Sequence, residues 1–530
     1  MEADKHGLNG NPEGIADSGL TSPGSFEIRD SKFEFPFMRR LFRQRSDHAR
    51  SALLALLFVG FIGVLLVFLF PGSPEQDIDY HFLMMRTAWV DHFYFVDVWA
   101  RPFFTAIFAP VALWGFTASR FFALALSLAL AWQTYRFACD LGVQRPWLAI
   151  LFLVGQPTVF VLFSNLFTEL PFALVLVTAL RCDFCGRRKL GMLVASFLPL
   201  ARPEGAFLCV FWGLWFLLQP DQKETGSPVH RWSAARLPPI LILGTGLFCW
   251  WLVALVITGD PLFILHKWPA TWHQDMYARG PFFSYALKAR KFIGTVFIIP
   301  FLFGLLEGFR SRHWALISSS FLLFVLLHSI FLKYGLFGEA GFPRYMASVS
   351  PAIALLTLKG WNRVFSVKIL RPISAVSAGV VVTLSFVQGS RFLDSMEWGR
   401  DAIAINQMAD WLKERDRPIP DLIWSNGRMC AALGRNLKDS PPAENREKLI
   451  ERLQNAPAGT IVFWDGEIGP NWFGMTSGEI EQRGYQLLLK RRYTLEPIIY
   501  RAGRFSGIAG LEQALSLPSR QIELSLLEKK

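Results

Sequence analysis

The sequence has few charged residues for its length. Asp, Glu, Lys and Arg make up 18% of its 530 residues, whereas soluble globular proteins contain about 25%. Hydrophobic residues make up 52%, and long apolar runs recur between Ser51 and Gln388. An α-helix needs roughly 20 apolar residues to cross a bilayer. The composition therefore excludes an ordinary soluble protein and predicts a polytopic α-helical membrane protein.

Patterns that would indicate other classes are missing. The opening residues lack a short apolar core followed by a small-residue cleavage site, so we expect a polar cytoplasmic tail over residues 1–50 and no cleaved signal peptide. The six cysteines lie mostly in or beside apolar runs and predict no disulfide framework. Cys182 and Cys185 form a C-x-x-C pair without the second half that zinc requires.

The apolar runs predict about eleven transmembrane helices. They lie near residues 51–70, 118–137, 147–163, 167–180, 190–201, 205–218, 237–257, 292–307, 315–332, 345–358 and 372–388. The charged turn from Arg202 to Gly205 separates the fifth helix from the sixth, because a charged residue at the centre of a span costs about 2.5 to 3.5 kcal/mol.

The basic residues orient these helices. The net charge of +12 resides in short clusters between apolar runs rather than along one face, so it predicts membrane orientation and no nucleic-acid partner. Basic residues precede the first span and occupy the loops "RCDFCGRRK", "RSRH" and "KGWNRVFSVKILR", which all become cytoplasmic if the chain begins inside. The basic loop 259–291 is an exception, because it falls on the outer side.

Eleven spans place the outer loop 71–117 and residues 390–530 outside the cytoplasm. Within the outer loop, "FFTAIFAPVALWG" is too short to span and contains Pro110, so it predicts a helix lying at the membrane surface. After residue 390 the pattern predicts a small α/β domain followed by a polar tail. "AINQMADWLKERD" and "ENREKLIERLQ" are typical of helices, and "DLIWS" and "TIVFWD" of strands.

Acids gather directly after the first span. Asp77 and His81 are four residues apart and would share a helix face, whereas Asp77 and Asp79 would diverge unless the segment is extended. Two such carboxylates could act as a general base and an orienting group, or could hold a divalent metal; no cofactor is required. The alternative interpretation is a solvated acidic loop.

More polar residues lie at the outer ends of the predicted spans: Glu169, Arg202, Glu204, Arg344 and Tyr345. Ionisable groups near the hydrocarbon usually face a cavity or each other, so these are candidate functional residues. The alternative is internal pairing, of Arg202 with Glu204 or Glu169.

In this order, "DIDYH", "ARPFFTAIFAP", "SNLFTELPFALVL", "ARPEG" and "FPRYMASVSPAIALL" resemble segments of the membrane glycosyltransferases of the GT-C fold. The similarity is to bacterial members like the protein-mannosyltransferase and aminoarabinose-transferase enzymes, and it covers roughly residues 51–389. It implies an enzyme that passes a hexose or pentose from a polyprenyl-phosphate carrier to a lipid, glycan or protein acceptor on the outer face. Such enzymes occur in bacterial inner membranes and in the endoplasmic reticulum, and we expect the bacterial inner membrane here.

The resemblance also implies roles for residues. A carboxylate of the first outer loop would be the base, and Asp77 matches the first acid of the family's D-E-x-Y pattern. Ile78 replaces the family's glutamate and Asp79 supplies an acid one place later, so the base stays open between Asp77 and Asp79. The candidates for binding the donor phosphate are Arg202, Arg344 and Lys267, with His81, Glu169, Glu204 and Tyr345 lining the site.

Three other functions compete with this hypothesis. A transporter or flippase also collects ionisable groups, but the sequence shows no inverted repeat and places its charges at one membrane face rather than at the midplane. A glycan polymerase or ligase is not excluded. A non-catalytic scaffold would leave the outer acids replaceable.

Overall fold

The structure is a computed structural model that describes residues 36–70, 76–218, 237–267, 279–365, 374–395, 400–415, 417–495 and 520–530. The chain divides into two compact units, Met1–Asp47 and His48–Lys530. The candidate site and the packing described below belong to the second unit.

The described chain up to residue 395 is built from helices and their connections. The helices are α1 (Pro36–Leu69), α2 (Gln76–Thr87), α3 (Pro102–Ala112), α4 (Phe116–Asp140), α5 (Leu148–Val154), α6 (Pro157–Leu162), α7 (Glu169–Phe184), α8 (Arg188–Ala195), α9 (Leu198–Ala201), α10 (Gly205–Leu217), α11 (Leu237–Leu241), α12 (Thr245–Thr258), α13 (Phe263–His266), α14 (Ser284–Leu287), α15 (Ile298–Gly308), α16 (Arg312–Tyr334), α17 (Ser350–Val364) and α18 (Ser374–Ser395). Short 3₁₀ helices cover His92–Phe95, Ile242–Gly244, Thr295–Phe297 and Pro343–Val349, and a π-helical turn covers Arg290–Gly294.

Among the described residues, four helices are long and apolar enough to cross a membrane. They are His48–Leu69, Pro238–Thr258, Arg290–Gly308 and Arg312–Tyr334. They coincide with four of the eleven predicted spans, at 51–70, 237–257, 292–307 and 315–332. The chain is therefore a helical membrane protein, and the total of eleven spans stays a prediction.

Several predicted spans are not continuous α-helices, and segments 237–257 and 292–307 contain the 3₁₀ and π turns given above. Segment 147–163 is divided into α5 and α6, because Pro157 cannot continue a helix and holds Gln156 in an extended conformation. The Gln156 amide donates hydrogen bonds to the carbonyls of Phe152 and Ser350, so it satisfies backbone groups at the break. Segment 190–201 is likewise divided into α8 and α9, and segment 345–358 starts as a 3₁₀ helix before α17.

The chain leaves the helix at Arg202, as the sequence predicts. Arg202 has an extended backbone after α9, and α10 begins at Gly205. A side-chain carbon at Gly205 would overlap the backbone of Leu198. The turn can therefore close only with glycine at that position.

Helices α15 and α17 cross at backbone contact. A side-chain carbon at Gly304 would overlap the Leu356 carbonyl, and one at Gly360 would overlap the Pro300 carbonyl. Small residues allow membrane helices to approach closely and gain van der Waals contact, which is the main attraction available in lipid.

Arg120 of α4 lies fully buried against the end of α1. Its guanidinium donates to the carbonyls of Val67 and Phe70, and its Nε donates to the Ser164 carbonyl at 3.0 Å. The last carbonyls of a helix have no partner within the helix, and the negative end of the helix dipole lies there. Arg120 therefore caps α1 and is explained without a functional role.

The C-terminal part is an α/β unit. Its helices are α19 (Arg400–Glu414), α20 (Gly427–Ala432), α21 (Arg446–Asn455), α22 (Ile468–Phe473) and α23 (Ser477–Glu481), and its strands are β1 (Leu422–Trp424), β2 (Ile461–Asp465), β3 (Tyr485–Leu495) and β4 (Arg520–Lys529). The two helices and two strands that the sequence predicts correspond to α19, α21, β1 and β2. The strand order is β1-β2-β4-β3, with β1 and β2 parallel and the other pairs antiparallel.

Alternate residues of β2 enter different cores, as the two-residue period of a strand requires. Ile461 and Phe463 pack on the side of α19 and α20, whereas Val462 and Trp464 pack on the side of α21. Both faces of the sheet are therefore covered.

The predicted polar tail needs correction at its end. Residues 520–529 form β4, which lies in the middle of the sheet between β2 and β3. Leu524, Leu526 and Leu527 are fully buried there. A strand covered on both faces shows no clean alternation of polar and apolar residues, so the period-2 signal is weak.

Candidate functional site

Asp77 and Arg344 form the exposed end of a network of charges. Asp77 lies in the first turn of α2, and Arg344 lies in the 3₁₀ helix Pro343–Val349. The Arg344 Nη2 donates to Asp77 Oδ2 at 2.5 Å. The Asp77 side chain is 45% exposed, whereas Arg344 is buried. The guanidinium carbon of Arg344 lies 4.8 Å from the ring centre of Phe342, within the range of a cation–π contact.

Glu169 links this pair to a second arginine. Its Oε1 lies 2.8 Å from Arg202 Nη1 and 3.7 Å from Arg344 Nε. Glu169 is the first residue of α7 and is 2% exposed. The positive end of the helix dipole favours a carboxylate at this position. One buried carboxylate thus holds two guanidinium groups near each other.

Arg202 also binds Glu204 across its own turn. Arg202 Nη2 lies 2.9 Å from Glu204 Oε1, and Nη1 donates to Thr168 Oγ1 at 3.0 Å. Burial opposes the charge on both residues. Even so, Glu204 and Glu169 raise the pKa of Arg202, and Arg202, His328 and Arg101 lower the pKa of Glu204 to about 2. The internal pairing left open by the sequence is therefore present at Arg202.

The network continues through residues that the sequence analysis did not select. Glu204 Oε1 lies 3.8 Å from His328 Nε2, and His328 Nδ1 lies 2.6 Å from Glu339 Oε2. The Tyr285 hydroxyl donates to the other oxygen of Glu339. All of these side chains except Glu204 are nearly or fully buried. The one sequence signal for this part of the network was His328, a histidine inside an apolar span. Ionisable residues within a membrane usually have a polar partner, so His328 could have indicated one.

Arg101 is another residue that the sequence analysis did not select. Its φ of 62° lies in the left-handed region, directly before Pro102. Such a conformation in a non-glycine residue costs roughly 1–3 kcal/mol and is concentrated at functional sites. Burial lowers the pKa of Arg101 to about 10, with Arg202 adding to the fall and Glu204 and Glu169 opposing it. Arg101 therefore interacts electrostatically with the charges of the network.

His81 is buried close to the same charges. Its ring stacks on Trp99, with ring centres 4.9 Å apart and planes inclined by 16°. Burial, together with Arg101 and Arg202, lowers the pKa of His81 to about 3. His81 is therefore a neutral imidazole at physiological pH and carries no charge into the site.

Asp77 is a weaker acid than an ordinary aspartate. Although its side chain is partly accessible, Asp77 lies deep among protein atoms, and this desolvation together with Glu169 raises its pKa to about 6. Arg101 and Arg202 act in the opposite direction. A carboxylate with a pKa near neutrality is a stronger proton acceptor than an ordinary aspartate.

Asp79 faces a different partner. Its Oδ1 accepts a hydrogen bond of 2.7 Å from Arg428 Nη1, and Asp79 is only 4% exposed. Asp77 and Asp79 thus bind different arginines, so they do not offer two free carboxylates to one divalent metal. No cluster of three or more metal-binding side chains occurs in the part of the chain that the structure describes.

Most of the predicted site residues lie together, whereas Lys267 does not. The structure brings Asp77, Glu169, Arg202, Glu204 and Arg344 together, and Tyr345 joins them because its ring centre lies 5.1 Å from the Arg202 guanidinium carbon. Lys267 lies elsewhere. It is exposed, with its Nζ 6.0 Å from the ring centre of Phe93 and its charge acting on Asp97.

Comparison with known proteins identifies the fold. No protein-family model and no curated protein sequence matches the chain. The structure of ArnT from Cupriavidus metallidurans bound to undecaprenyl phosphate superimposes with a TM-score of 0.54 at 12% identity, covering 89% of this chain and 97% of ArnT. The chain has the fold of ArnT.

Two further structures are similar. The apo state of ArnT gives a TM-score of 0.53 at 12% identity, with 88% of this chain and 97% of ArnT covered. The apo oligosaccharyltransferase of Archaeoglobus fulgidus gives 0.45 at 12% identity, with 84% and 73% covered. The resemblance to GT-C-fold glycosyltransferases that the sequence indicated is confirmed at the level of the fold.

Proposed function

We propose that the protein is a membrane glycosyltransferase that passes a sugar from a polyprenyl-phosphate carrier to an acceptor hydroxyl on the extracytoplasmic face. The observation that carries the proposal is the Asp77–Arg344 pair, a half-exposed carboxylate held by a buried arginine. Support also comes from the fold, which is that of a protein whose structure contains undecaprenyl phosphate.

Asp77 is the proposed base. In the transfer, the acceptor oxygen bonds to the anomeric carbon of the sugar while the bond from that carbon to the phosphate oxygen breaks. The acceptor proton passes to Asp77, and the electron pair of the broken bond leaves with the phosphate. A positioned carboxylate contributes about 10² to 10⁴ in rate to such a step.

Arg344 and Arg202 are the proposed phosphate-binding groups. The departing phosphate gains negative charge, and a guanidinium can donate two parallel hydrogen bonds to it. In the structure, Arg344 is bound to Asp77. A donor phosphate that recruits Arg344 would therefore free the Asp77 carboxylate for the acceptor. The donor itself would prepare the base.

Glu169 and Glu204 have a supporting role in this proposal. Both bind Arg202, and Glu169 also approaches Arg344. Two buried arginines without acids would repel each other and bear a large desolvation cost. The acids keep the arginines charged and fixed before substrate arrives, which is the preorganisation that electrostatic catalysis requires.

The test is a donor screen with the detergent-purified protein. Radiolabelled polyprenyl-phosphate sugars are supplied with membrane-lipid, glycan and peptide acceptors, and the labelled product is measured. We expect transfer from at least one donor by the wild type and by Asp410→Asn, which alters an exposed acid of α19. We expect none from Asp77→Asn.

Two outcomes would contradict the proposal. Equal transfer by the wild type and Asp77→Asn would show that Asp77 is not the base. Movement of a labelled lipid-phosphate sugar across proteoliposome membranes, with no transfer of the sugar to any acceptor, would favour a flippase instead.

A further inference from the structure

The face of α2 opposite the site is attached to the C-terminal α/β unit. Successive residues of a helix are turned by 100°, so Asp77 and Asp79 point about 200° apart. Asp77 faces Arg344, and Asp79 faces Arg428 of α20. A single helix thus carries the proposed base on one side and an ion pair with the α/β unit on the other.

This attachment runs along the whole helix. The Arg86 guanidinium donates to the Gly434 carbonyl at 3.0 Å, and the amide of Leu437 donates to Thr87 Oγ1 at 2.9 Å. The Tyr80 ring lies 5.4 Å from that of Trp424, a residue of β1. These α2 residues recur at helical spacing with Asp79, which defines one continuous face.

Apolar packing seals the same face. Leu83 and Met84 of α2 are buried in one core with residues of the α/β unit, among them Met408 of α19 and Met429 of α20. Gly427 lies so close to Tyr80 and Leu83 that an added side-chain carbon would be 3.3 Å from each. The helix therefore belongs to the core of the α/β unit as well as to the outer loop.

Arg428 itself is held by the sheet. Asn426, two residues earlier, accepts a hydrogen bond of 3.0 Å from the backbone amide of Arg428. The Asn426 side-chain amide in turn donates to Asp465, at the end of β2, at 3.2 Å. The Arg428 Nε also donates to Asn406 of α19 at 3.3 Å. The Arg428 guanidinium thus has little freedom, and Asp79 binds to a fixed point.

We infer that the C-terminal α/β unit sets the position of α2, and that Arg428 is a positioning residue that holds Asp77 in place through Asp79. The inference rests on the proposed function only for its kinetic consequence. It assigns the α/β unit a task in the reaction, since rotation of α2 about its axis would carry the Asp77 carboxylate away from Arg344 and from the acceptor. Small misplacements of a reacting group reduce rates strongly.

The structural test is hydrogen exchange of residues 76–87 in the detergent-purified full chain. Asp79→Asn keeps the shape of the side chain but removes its charge, and Arg428→Ala removes the partner. Both should speed amide exchange in α2 about 10-fold or more, whereas exchange in α17 should not change. Arg446→Ala is the matched control, since Arg446 is a partly exposed arginine of the same unit that binds Gly474 and Glu479. Unchanged exchange of α2 in Asp79→Asn and Arg428→Ala would overturn the inference whatever the enzyme does.

The kinetic test uses the same variants. Loss of a charged hydrogen bond predicts a fall of about 10- to 100-fold in kcat, with little change in KM for the donor lipid. Arg428→Lys should restore part of the rate, and the double variant should be no worse than either single one, because both remove the same contact. Additive losses would overturn the inference. If exchange changes as expected but the wild type transfers no sugar, the proposed function fails and the positioning contact stands.

Discussion

Arg344 and Asp77 are 267 positions apart in the sequence and are joined by a hydrogen bond of 2.5 Å. The bond connects the outer helix α2 to the 3₁₀ helix that precedes α17. It couples the proposed base to a proposed phosphate-binding group, so a change to either residue alters the environment of the other. Substitutions of the two should therefore affect the same step of the reaction.

Asp77→Asn should abolish transfer while expression and donor binding are retained. The amide is nearly isosteric with the carboxylate, so only proton acceptance is lost, with an expected fall of about 10² to 10⁴ in rate. Asp79→Asn should lose less, because Asp79 is buried against Arg428 and acts through position alone. Rate constants measured at saturating donor check this order. A dead Asp79→Asn beside a near-normal Asp77→Asn would reverse the assignment.

The transfer rate should fall as the pH falls through about 6. A base works in its deprotonated form, and burial followed by Glu169 raises the pKa of Asp77 to about 6. An ordinary aspartate would lose activity only near pH 4. His81 is not expected to cause the change, since its pKa is lowered to about 3 by burial, Arg101 and Arg202.

The measurement is kcat/KM for the donor between about pH 4.5 and 8. This range separates a base with a pKa of about 6 from an ordinary aspartate with a pKa of about 4. Thermal unfolding at each pH controls for loss of folded protein. A kcat/KM that stays constant from pH 8 down to about pH 5 with intact protein would contradict a raised pKa at the base.

Arg344→Lys and Arg202→Lys should have different effects. Lysine keeps the charge but cannot reproduce two parallel hydrogen bonds. Arg344 binds the half-exposed Asp77, so Arg344→Lys should lower transfer about 10-fold or more while the melting temperature changes little. Arg202 binds two acids and Thr168 and is also a proposed phosphate-binding group, so Arg202→Lys should lower both the melting temperature and the donor affinity.

Donor affinity measured beside thermal unfolding separates these effects. Unchanged donor affinity and rate in folded Arg344→Lys would remove Arg344 from the site. A lowered melting temperature with unchanged donor affinity in folded Arg202→Lys would likewise remove Arg202 from the site.

The sequence could predict several residues of the site and offered the pairing of Arg202 with Glu204 or Glu169, but it did not predict the pairing of Asp77 with Arg344. Arg202 and Glu169 were recognisable because charged residues interrupt apolar runs. That Glu169 holds both Arg202 and Arg344 depends on how α7 packs against two distant turns, which no local pattern records. His328 was overlooked because a lone histidine in a span does not reveal its partner. Strand β4 was missed because its pairing with β2 and β3 is long-range and both of its faces are covered.

Arg120→Met should lower the melting temperature without a specific effect on donor affinity. Arg120 satisfies carbonyls at the end of α1, and each buried group left without a partner costs about 1–3 kcal/mol. Arg136→Met is the control, because Arg136 is an exposed arginine of the same helix. Thermal unfolding of both variants in one detergent gives the comparison. Equal melting temperatures would show that the cap contributes little.

Residues 390–530 should lie outside the cytoplasm. Eleven spans that begin inside end outside, and the break at Arg202 on which this count depends is present in the structure. A reporter fused after Lys530 should behave as exported, whereas the same reporter fused after Arg310, in a predicted cytoplasmic loop, should not. The fusion after Lys530 adds to the end of β4 and leaves every strand of the sheet in the chain.

Cysteine labelling of intact cells provides an independent measurement. Glu444→Cys adds a thiol at an exposed position of the α/β unit, and the native Cys185 is exposed in a loop predicted to be cytoplasmic. A membrane-impermeant thiol reagent should therefore modify the new cysteine in intact cells and Cys185 only after the membrane is opened. Protection of the cysteine at 444 together with labelling of Cys185 would reverse the orientation, and the proposed site beside α2 would then face the cytoplasm.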